Sequence, residues 1–307
     1  MTGSAGALRL AAPAKLNLYL HVLGRRPDGY HRLDSLVAFA DIADEVTVAP
    51  AEHLTLAVTG PFASALGGDD GAAGRPEAGT NLVLRAARAL AAAAGTPARA
   101  AILLRKNLPV AAGLGGGSSD AAATLRLLAR LWGLPEDPST LMPVAAGLGA
   151  DVPMCLLARP LFAGGVGERI AARSVSLPAV SIVLVNPNRP LATPAVFRRF
   201  SKPFSRPARF AGPATVRILS HRRNDLTEAA ASLEPAIPDI LAALAAAGSG
   251  FSRMSGSGAT CFGLFADAAT AGAAAERISS DSPGWWVRAG RLLTEPPRLV
   301  DVASLQQ

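Results

Sequence analysis

The chain has 307 residues, half of them apolar and only 5% aromatic, so Ala, Leu and Val must fill most of a sizeable core. Thirty basic residues against 23 acidic ones leave a formal charge of +7, which suits an anionic partner (nucleotide, nucleic acid or phosphorylated metabolite) without choosing among them. No apolar run reaches the roughly 18–20 residues of a membrane span, Arg9 and Lys15 interrupt the stretch where a signal peptide would be apolar, and Cys155 and Cys261 match no metal or redox spacing; a soluble cytoplasmic protein with two reduced, buried thiols is expected.

Leu16, Leu18, Leu20 and Val22 alternate with Asn17, Tyr19 and His21, the period of a half-buried strand that turns Asn17 away from its apolar face. Arg26-Pro27-Asp28-Gly29 is turn chemistry. Strands are predicted near Leu33–Phe39, Glu45–Val48 and Leu54–Val58, and residues 60–79, rich in Gly, Ala, Pro and Asp, read as a loop. Thr80 is placed to cap a helix with Leu82, Val83, Ala86 and Leu90 on one side. Ala100–Leu104 returns as a strand, and a helix is predicted from about Ser119 to Trp132. Beyond Asp151, Ile182–Val185 reads as a short buried strand among prolines, residues 202–223 as a basic surface loop, Ile237–Ala247 as a helix, and Phe251–Phe265 as two strands around a glycine turn. There is no internal repeat and no regular β-α-β cadence, so the fold class is α+β rather than a doubly wound sheet.

The chemistry concentrates in the stretch Pro109, Val110, Ala111, Ala112, Gly113, Leu114, Gly115, Gly116, Gly117, Ser118, Ser119. A strand leads in and an amphipathic helix leads out. Successive glycines let backbone N–H groups converge, the two serines add hydroxyl donors, and the helix start contributes unpaired N–H groups and partial positive charge. A polyphosphate is the natural ligand. No Gly-Lys-Ser/Thr follows at Walker spacing, and the G-x-G-x-x-G spacing fails at Ser118, so both the P-loop and the dinucleotide loop are excluded. A flexible linker would not sit between a strand and so periodic a helix.

This stretch resembles the second motif of the GHMP kinases, the family of galactokinase, homoserine kinase and mevalonate kinase, in a form with three glycines at its centre. Pro109, Gly113, Leu114, Gly115 and Ser118–Ser119 carry the match. Ser252 to Thr260 resembles the third motif of that family. Pro13-Ala14-Lys15-Leu16-Asn17, Asp28-Gly29-Tyr30-His31, Gly149-Ala150-Asp151-Val152-Pro153 and Asn224-Asp225-Leu226 are similar to the branch that acts on a cytidylyl-linked methylerythritol. The likeness runs from about Pro13 to Phe265 and is weakest at residues 60–79 and 202–221.

The resemblance implies a two-lobed α+β fold with its site in the cleft between lobes. Residues 1–160 would carry the phosphate loop and the catalytic pair, and residues 161–307 the second lobe, with the C-terminal segment free to return to the first. ATP would lie along residues 109–119. Mg²⁺ is expected to accompany it, although no Asp/Glu cluster names its ligands. Lys15 and Asp151 would meet the acceptor hydroxyl and the γ-phosphate. A carboxylate can accept the proton of an alcohol as the O–P bond forms, and an ammonium can steady charge on the transferring group. Asn17, Tyr30, His31, Thr193 and Phe197 would hold the acceptor, a Tyr face suiting a planar base and a His ring offering a donor and an acceptor. Ser255, Gly256, Ser257 and Gly258 would support the phosphate loop.

Two other readings stay open on the sequence. One is a GHMP kinase acting on another small alcohol, such as homoserine or a mevalonate derivative. The other is a non-catalytic nucleotide or RNA binder, since Phe200, Phe204 and Phe210 interleave with Arg198, Arg199, Lys202, Arg206 and Arg209. Prolines and the lack of an RNA-binding motif count against it. Monomer and homodimer are equally compatible with the residues.

Overall fold

The structure is a computed structural model and describes residues 6–66, 81–171, 175, 177, 180–208 and 216–305. Thr80, Pro178, Arg209, Phe210 and most of the predicted loop at 60–79 lie outside the described residues.

The chain opens with a long antiparallel hairpin, β1 (Leu8–Arg25) and β2 (His31–Ala49). Its turn closes where the Arg26 N–H donates to the Tyr30 carbonyl at 2.7 Å. The strands predicted at 33–39 and 45–48 are one continuous β2. The alternation along β1 does not mark a half-buried strand either. Bulges fall between Pro13 and Lys15, between Asn17 and Tyr19, and between Val22 and Gly24. Each resets which face a side chain takes. Tyr19 thereby joins Leu16 and Leu18 in one core, and Asn17 and His21 are buried as well.

Next come β3 (Thr55–Thr59), α1 (Leu82–Ala94), β4 (Ala101–Arg105), α2 (Gly116–Leu131), α3 (Pro138–Leu148), α4 (Val152–Leu157), β5 (Leu161–Gly165) and β6 (Arg169–Ile170). Asn81 caps α1: its Oδ1 accepts the Val83 N–H at 2.9 Å. Helix α2 begins three residues before the predicted start, because Gly115 adopts a left-handed conformation (φ 62°) at its N-cap and turns the chain into the helix.

Later elements are β7 (Ser181–Asn186), α5 (Thr193–Arg199), α6 (Val216–Ser220), α7 (Thr227–Ala231), α8 (Ala236–Ala246), β8 (Phe251–Met254), β9 (Cys261–Phe265), α9 (Ala268–Asp281), β10 (Trp286–Arg291) and β11 (Val300–Asp301). Two sheets result. The first runs β11-β1-β2-β4-β3, with β5 on the far part of β2 and β6 beside β5; the second is the antiparallel order β10-β7-β9-β8. The chain therefore returns to the first sheet at its end.

Among the described residues, three hydrophobic clusters hold these layers together. Leu8, Leu10, Val37 and Phe39 of the first sheet pack against Leu125, Leu128 and Met154 of α2 and α4. Leu16, Leu18 and Leu36 pack against Ile182, Leu184 and Phe262 of the second sheet. Val183, Val185 and Cys261 face Ile240 and Ile278 of α8 and α9. Strand β1 is thus buried from both sides, which fixes the backbone that carries Lys15 and Asn17. Cys155 and Cys261 are free and buried, and burial pushes the Cys155 thiol up to about 12. Among the described residues no helix is long and apolar enough to cross a membrane.

Candidate active site

A cleft of about 530 Å³ opens at the start of α2. The segment from Pro109 to Ser118 forms one wall, with Lys15, Asn17 and Asp151 beside it and Thr193, Phe197, Gly256 and Ser257 opposite. Residues brought from five separate stretches of chain therefore share one space.

The loop is held by close contacts that leave no room for a side chain at Gly113. Gly113 has φ 76°, and a Cβ there would lie 2.4 Å from the Ser255 carbonyl oxygen. Ser255 Oγ donates to the Gly113 carbonyl at 2.9 Å and accepts the Asn17 N–H at 3.2 Å. The Thr260 N–H donates to the Ala112 carbonyl at 3.1 Å, and the Lys15 N–H to the Leu114 carbonyl at 2.8 Å. The glycine turn at 255–258 thus divides its work. Ser255 and Gly258 brace the loop from behind, and Gly256 and Ser257 reach the cleft wall. Ser119 differs from the expectation: it is buried, and its Oγ donates to the Pro13 carbonyl at 2.7 Å. That hydroxyl ties α2 to β1 instead of facing a ligand.

Lys15 is the junction of the polar network. Its Nζ lies 3.2 Å from Asp151 Oδ2 and donates to Asn17 Oδ1 at 3.0 Å. Asn17 Nδ2 donates to Ser35 Oγ at 2.8 Å, and Ser35 Oγ to the Tyr19 carbonyl at 2.6 Å. Lys15 is buried, whereas the Asp151 side chain is 36% exposed at the mouth of α4. The lysine is therefore pinned, while the carboxylate stays open to the cleft. A Cβ on Gly115 would stand 3.1 Å from Lys15 Cε, so the lysine stem lies directly on the loop.

On the opposite wall Thr193 Oγ1 and Ser257 Oγ are 2.8 Å apart. Phe197 stacks on the His31 ring, centroids 5.0 Å apart at 20°, and Phe200 meets His31 edge-on. Burial, then the Arg25 charge, lowers the His31 pKa, which favours the neutral ring. Neither Tyr30 nor His31 lines the cleft: His31 backs Phe197, and Tyr30 stands 65% exposed at the hairpin turn.

The sequence reading missed a buried ionic cluster beside the loop. Lys106 Nζ donates to Asp44 Oδ2 and, at 2.8 Å, to Asp120 Oδ2. Asp44 Oδ1 accepts the N–H groups of Asn107 and Leu108 at 2.6 and 2.8 Å. Burial lowers the Lys106 pKa, but the two carboxylates outweigh it and the net shift is upward. Lys106 follows β4 directly, and Asp120 lies near the start of α2 beside the buried Ala121–Ala123, so in sequence it is a lone acid at the edge of an apolar run.

Family profiles match twice: "GHMP kinases N terminal domain" over residues 81–159 and "GHMP kinases C terminal" over residues 214–283. The 4-diphosphocytidyl-2-C-methyl-D-erythritol kinase of Paramagnetospirillum magneticum is 50% identical over 291 residues, covering 93% of this chain and 98% of its own. The protein of the same name from Paracoccus denitrificans is 52% identical over 290 residues, covering 92% and 96%. A crystal structure of 4-(cytidine 5'-diphospho)-2C-methyl-D-erythritol kinase superposes with a TM-score of 0.75 at 35% identity, over 92% of this chain and 98% of that one. Homoserine kinase from Cytophaga hutchinsonii has a TM-score of 0.72 at 16% identity, over 98% and 99%, a likeness of fold alone.

Proposed function

The chain belongs to the 4-diphosphocytidyl-2-C-methyl-D-erythritol kinases of the GHMP family, and from that membership we propose a complete reaction for this cleft. The protein is an ATP-dependent small-molecule kinase of the methylerythritol route to isoprenoid precursors. The proposed step moves the γ-phosphoryl group of ATP to the 2-hydroxyl of 4-diphosphocytidyl-2-C-methyl-D-erythritol. The observation that carries it is the 3.2 Å Lys15–Asp151 pair opening onto the same space as the phosphate loop.

Asp151 receives the hydroxyl proton as the new O–P bond forms, and its exposed carboxylate is placed for that contact. Lys15, pinned by Asn17, holds the carboxylate in position and steadies charge on the transferring phosphoryl group. Phosphoryl transfer has a loose transition state, so alignment of the two substrates contributes at least as much as proton removal. Backbone N–H groups at Gly115 to Ser118 and the start of α2 receive the polyphosphate. No group of three or more His, Cys, Asp or Glu among the described residues could hold a metal ion. Mg²⁺ would accompany the ATP and supply charge neutralisation at the phosphates.

Residues 1–160 supply the loop and the catalytic pair in this proposal, and residues 161–307 supply Thr193 and Phe197 for the acceptor. The cytosine ring is assigned to Phe197 and to Tyr30, which is free to fold over it from the hairpin turn. Turnover of the cytidylyl acceptor with MgATP by the purified protein tests the proposal. Phosphorylation of homoserine or mevalonate in its place would overturn the acceptor assignment.

A further inference from the structure

Asp44, Lys106 and Asp120 are each 2% exposed or less, yet Lys106 and Asp120 belong to the wall of the cleft. The cluster touches the phosphate loop from below: a Cβ on Gly116 would lie 3.1 Å from Lys106 Nζ and 3.4 Å from Asp44 Oδ2. Asp44 is fully satisfied, by Lys106 and two backbone N–H groups. Asp120 is not. Its Oδ2 accepts from Lys106, and its Oδ1 is buried without a hydrogen-bond partner.

Charge counting sets the problem. Two carboxylates around one ammonium leave one net negative charge when Asp120 is ionised, and none when it is protonated. That charge sits in a low-dielectric environment, where it is weakly screened. It lies directly behind the N–H groups that receive a polyphosphate. An ionised oxygen with no donor is costly in such a place, and a neutral carboxyl is less so.

We propose that Asp120 is a positioning residue whose protonation is coupled to nucleotide binding: MgATP in the loop holds the acid neutral, and ionisation of the acid, acting through Lys106 and Gly116, opposes the polyphosphate. The inference rests on the assignment of ATP to residues 109–119. Burial, countered by Lys106 and reinforced by Asp44, raises the Asp120 carboxyl to about 7 in the free protein, within reach of a ligand-driven shift. The titratable groups that face it are few. Lys106 arrives from the end of β4 and Asp44 from β2. From α4 comes the Cys155 thiol, which burial keeps protonated. From β1 comes Lys15, which is engaged with Asp151. The arginines of α1, Arg85 and Arg88, are exposed, and that helix buries Val83, Ala86, Ala87 and Leu90 instead.

Two measurements test this. In the wild type, calorimetric titration with MgATP near pH 7, repeated in PIPES and in Tris, should report net proton uptake. The KM for MgATP should rise with pH from about 6 to about 8.5, by up to about tenfold per pH unit above the midpoint, while kcat moves less. Asp120→Asn should lose the proton uptake and flatten the KM profile near its low-pH value. Binding enthalpies identical in the two buffers for the wild type would overturn the proposal, and that measurement stands even where the variant fails to fold. An unchanged KM profile in Asp120→Asn would also overturn it. If Asp120→Asn has no effect while Gly117→Ala weakens MgATP, the coupling is wrong and the phosphate loop stands. If neither alters MgATP affinity, the loop assignment itself fails.

Discussion

In Gly117→Ala a methyl group enters the second residue of α2, at a point where no heavy atom lies within 4 Å of the new Cβ. Gly117 is exposed on the cleft wall. The folded protein therefore meets no clash, and the helix gains from a less flexible unfolded chain, by up to about 1 kcal/mol. The ligand meets the opposite situation. A methyl group at the loop crest keeps a phosphate oxygen from closing on the adjacent N–H groups. Losing one hydrogen bond to a charged group costs about 1.5–3 kcal/mol, or roughly ten- to a hundredfold in affinity. Thermal melting without nucleotide should give a midpoint at or above that of the wild type, while steady-state kinetics should give a raised KM for MgATP. A raised KM with a lowered melting point would mean a damaged fold. An unchanged KM would refute the placement of the polyphosphate at this crest. Gly113→Ala is the contrasting control. There the Cβ meets the Ser255 carbonyl oxygen at 2.4 Å and φ is 76°, so that variant should lose stability first.

Asp151→Asn should lower kcat about a hundred- to ten-thousandfold with MgATP affinity near that of the wild type, and near-normal turnover would remove Asp151 from the role of base. Phe197→Ala should raise the KM of the cytidylyl acceptor and leave that of MgATP in place, since Phe197 stacks on His31 away from the loop; equal effects on both substrates would mean that the wall has collapsed. Stability should depend on pH through Asp120. Its carboxyl is raised from 3.8 to about 7, so between those values the native state keeps a proton that the unfolded chain has released. That contribution is complete below the unfolded value and disappears as pH climbs through about 7. Denaturation midpoints should therefore fall from about pH 4 to about pH 7 and level off above it, and Asp120→Asn should show a shallower fall; equal slopes would assign the effect to other groups.

What could be read from the sequence was local. The glycine-rich loop proposed for the phosphates is legible because its glycines, its serines and the helix behind it are contiguous, and the periodicity of α2 survives its tertiary context. Lys15 and Asp151 could be named only through a family likeness, since no spacing rule links residues on β1 and at the start of α4. The alternation along β1 predicted one wet face, and it misled because bulges and a second sheet change what each position meets. The Asp44–Lys106–Asp120 cluster was invisible for a related reason. Its members come from three elements, and in sequence each looks like a surface charge.

Those two failures have a common physical origin, and it bears on how the site works. Burying β1 on both faces removes the freedom of Lys15 and Asn17, and the Ser255 hydroxyl then ties the loop to that strand by accepting the Asn17 N–H and donating to the Gly113 carbonyl. Asp44 performs the same service on the other side, because its Oδ1 fixes the Asn107 and Leu108 N–H groups where the chain leaves β4 for the loop. Anchoring the loop this way requires a carboxylate inside the protein, and that carboxylate requires Lys106. Asp120 is then the surplus charge. Replacing it by asparagine keeps the Asp44–Lys106 pair balanced, so the anchor should persist in that variant. Replacing Lys106 by methionine strands two acids behind the phosphates and should cost both stability and MgATP affinity, as breaking a buried pair from one side does.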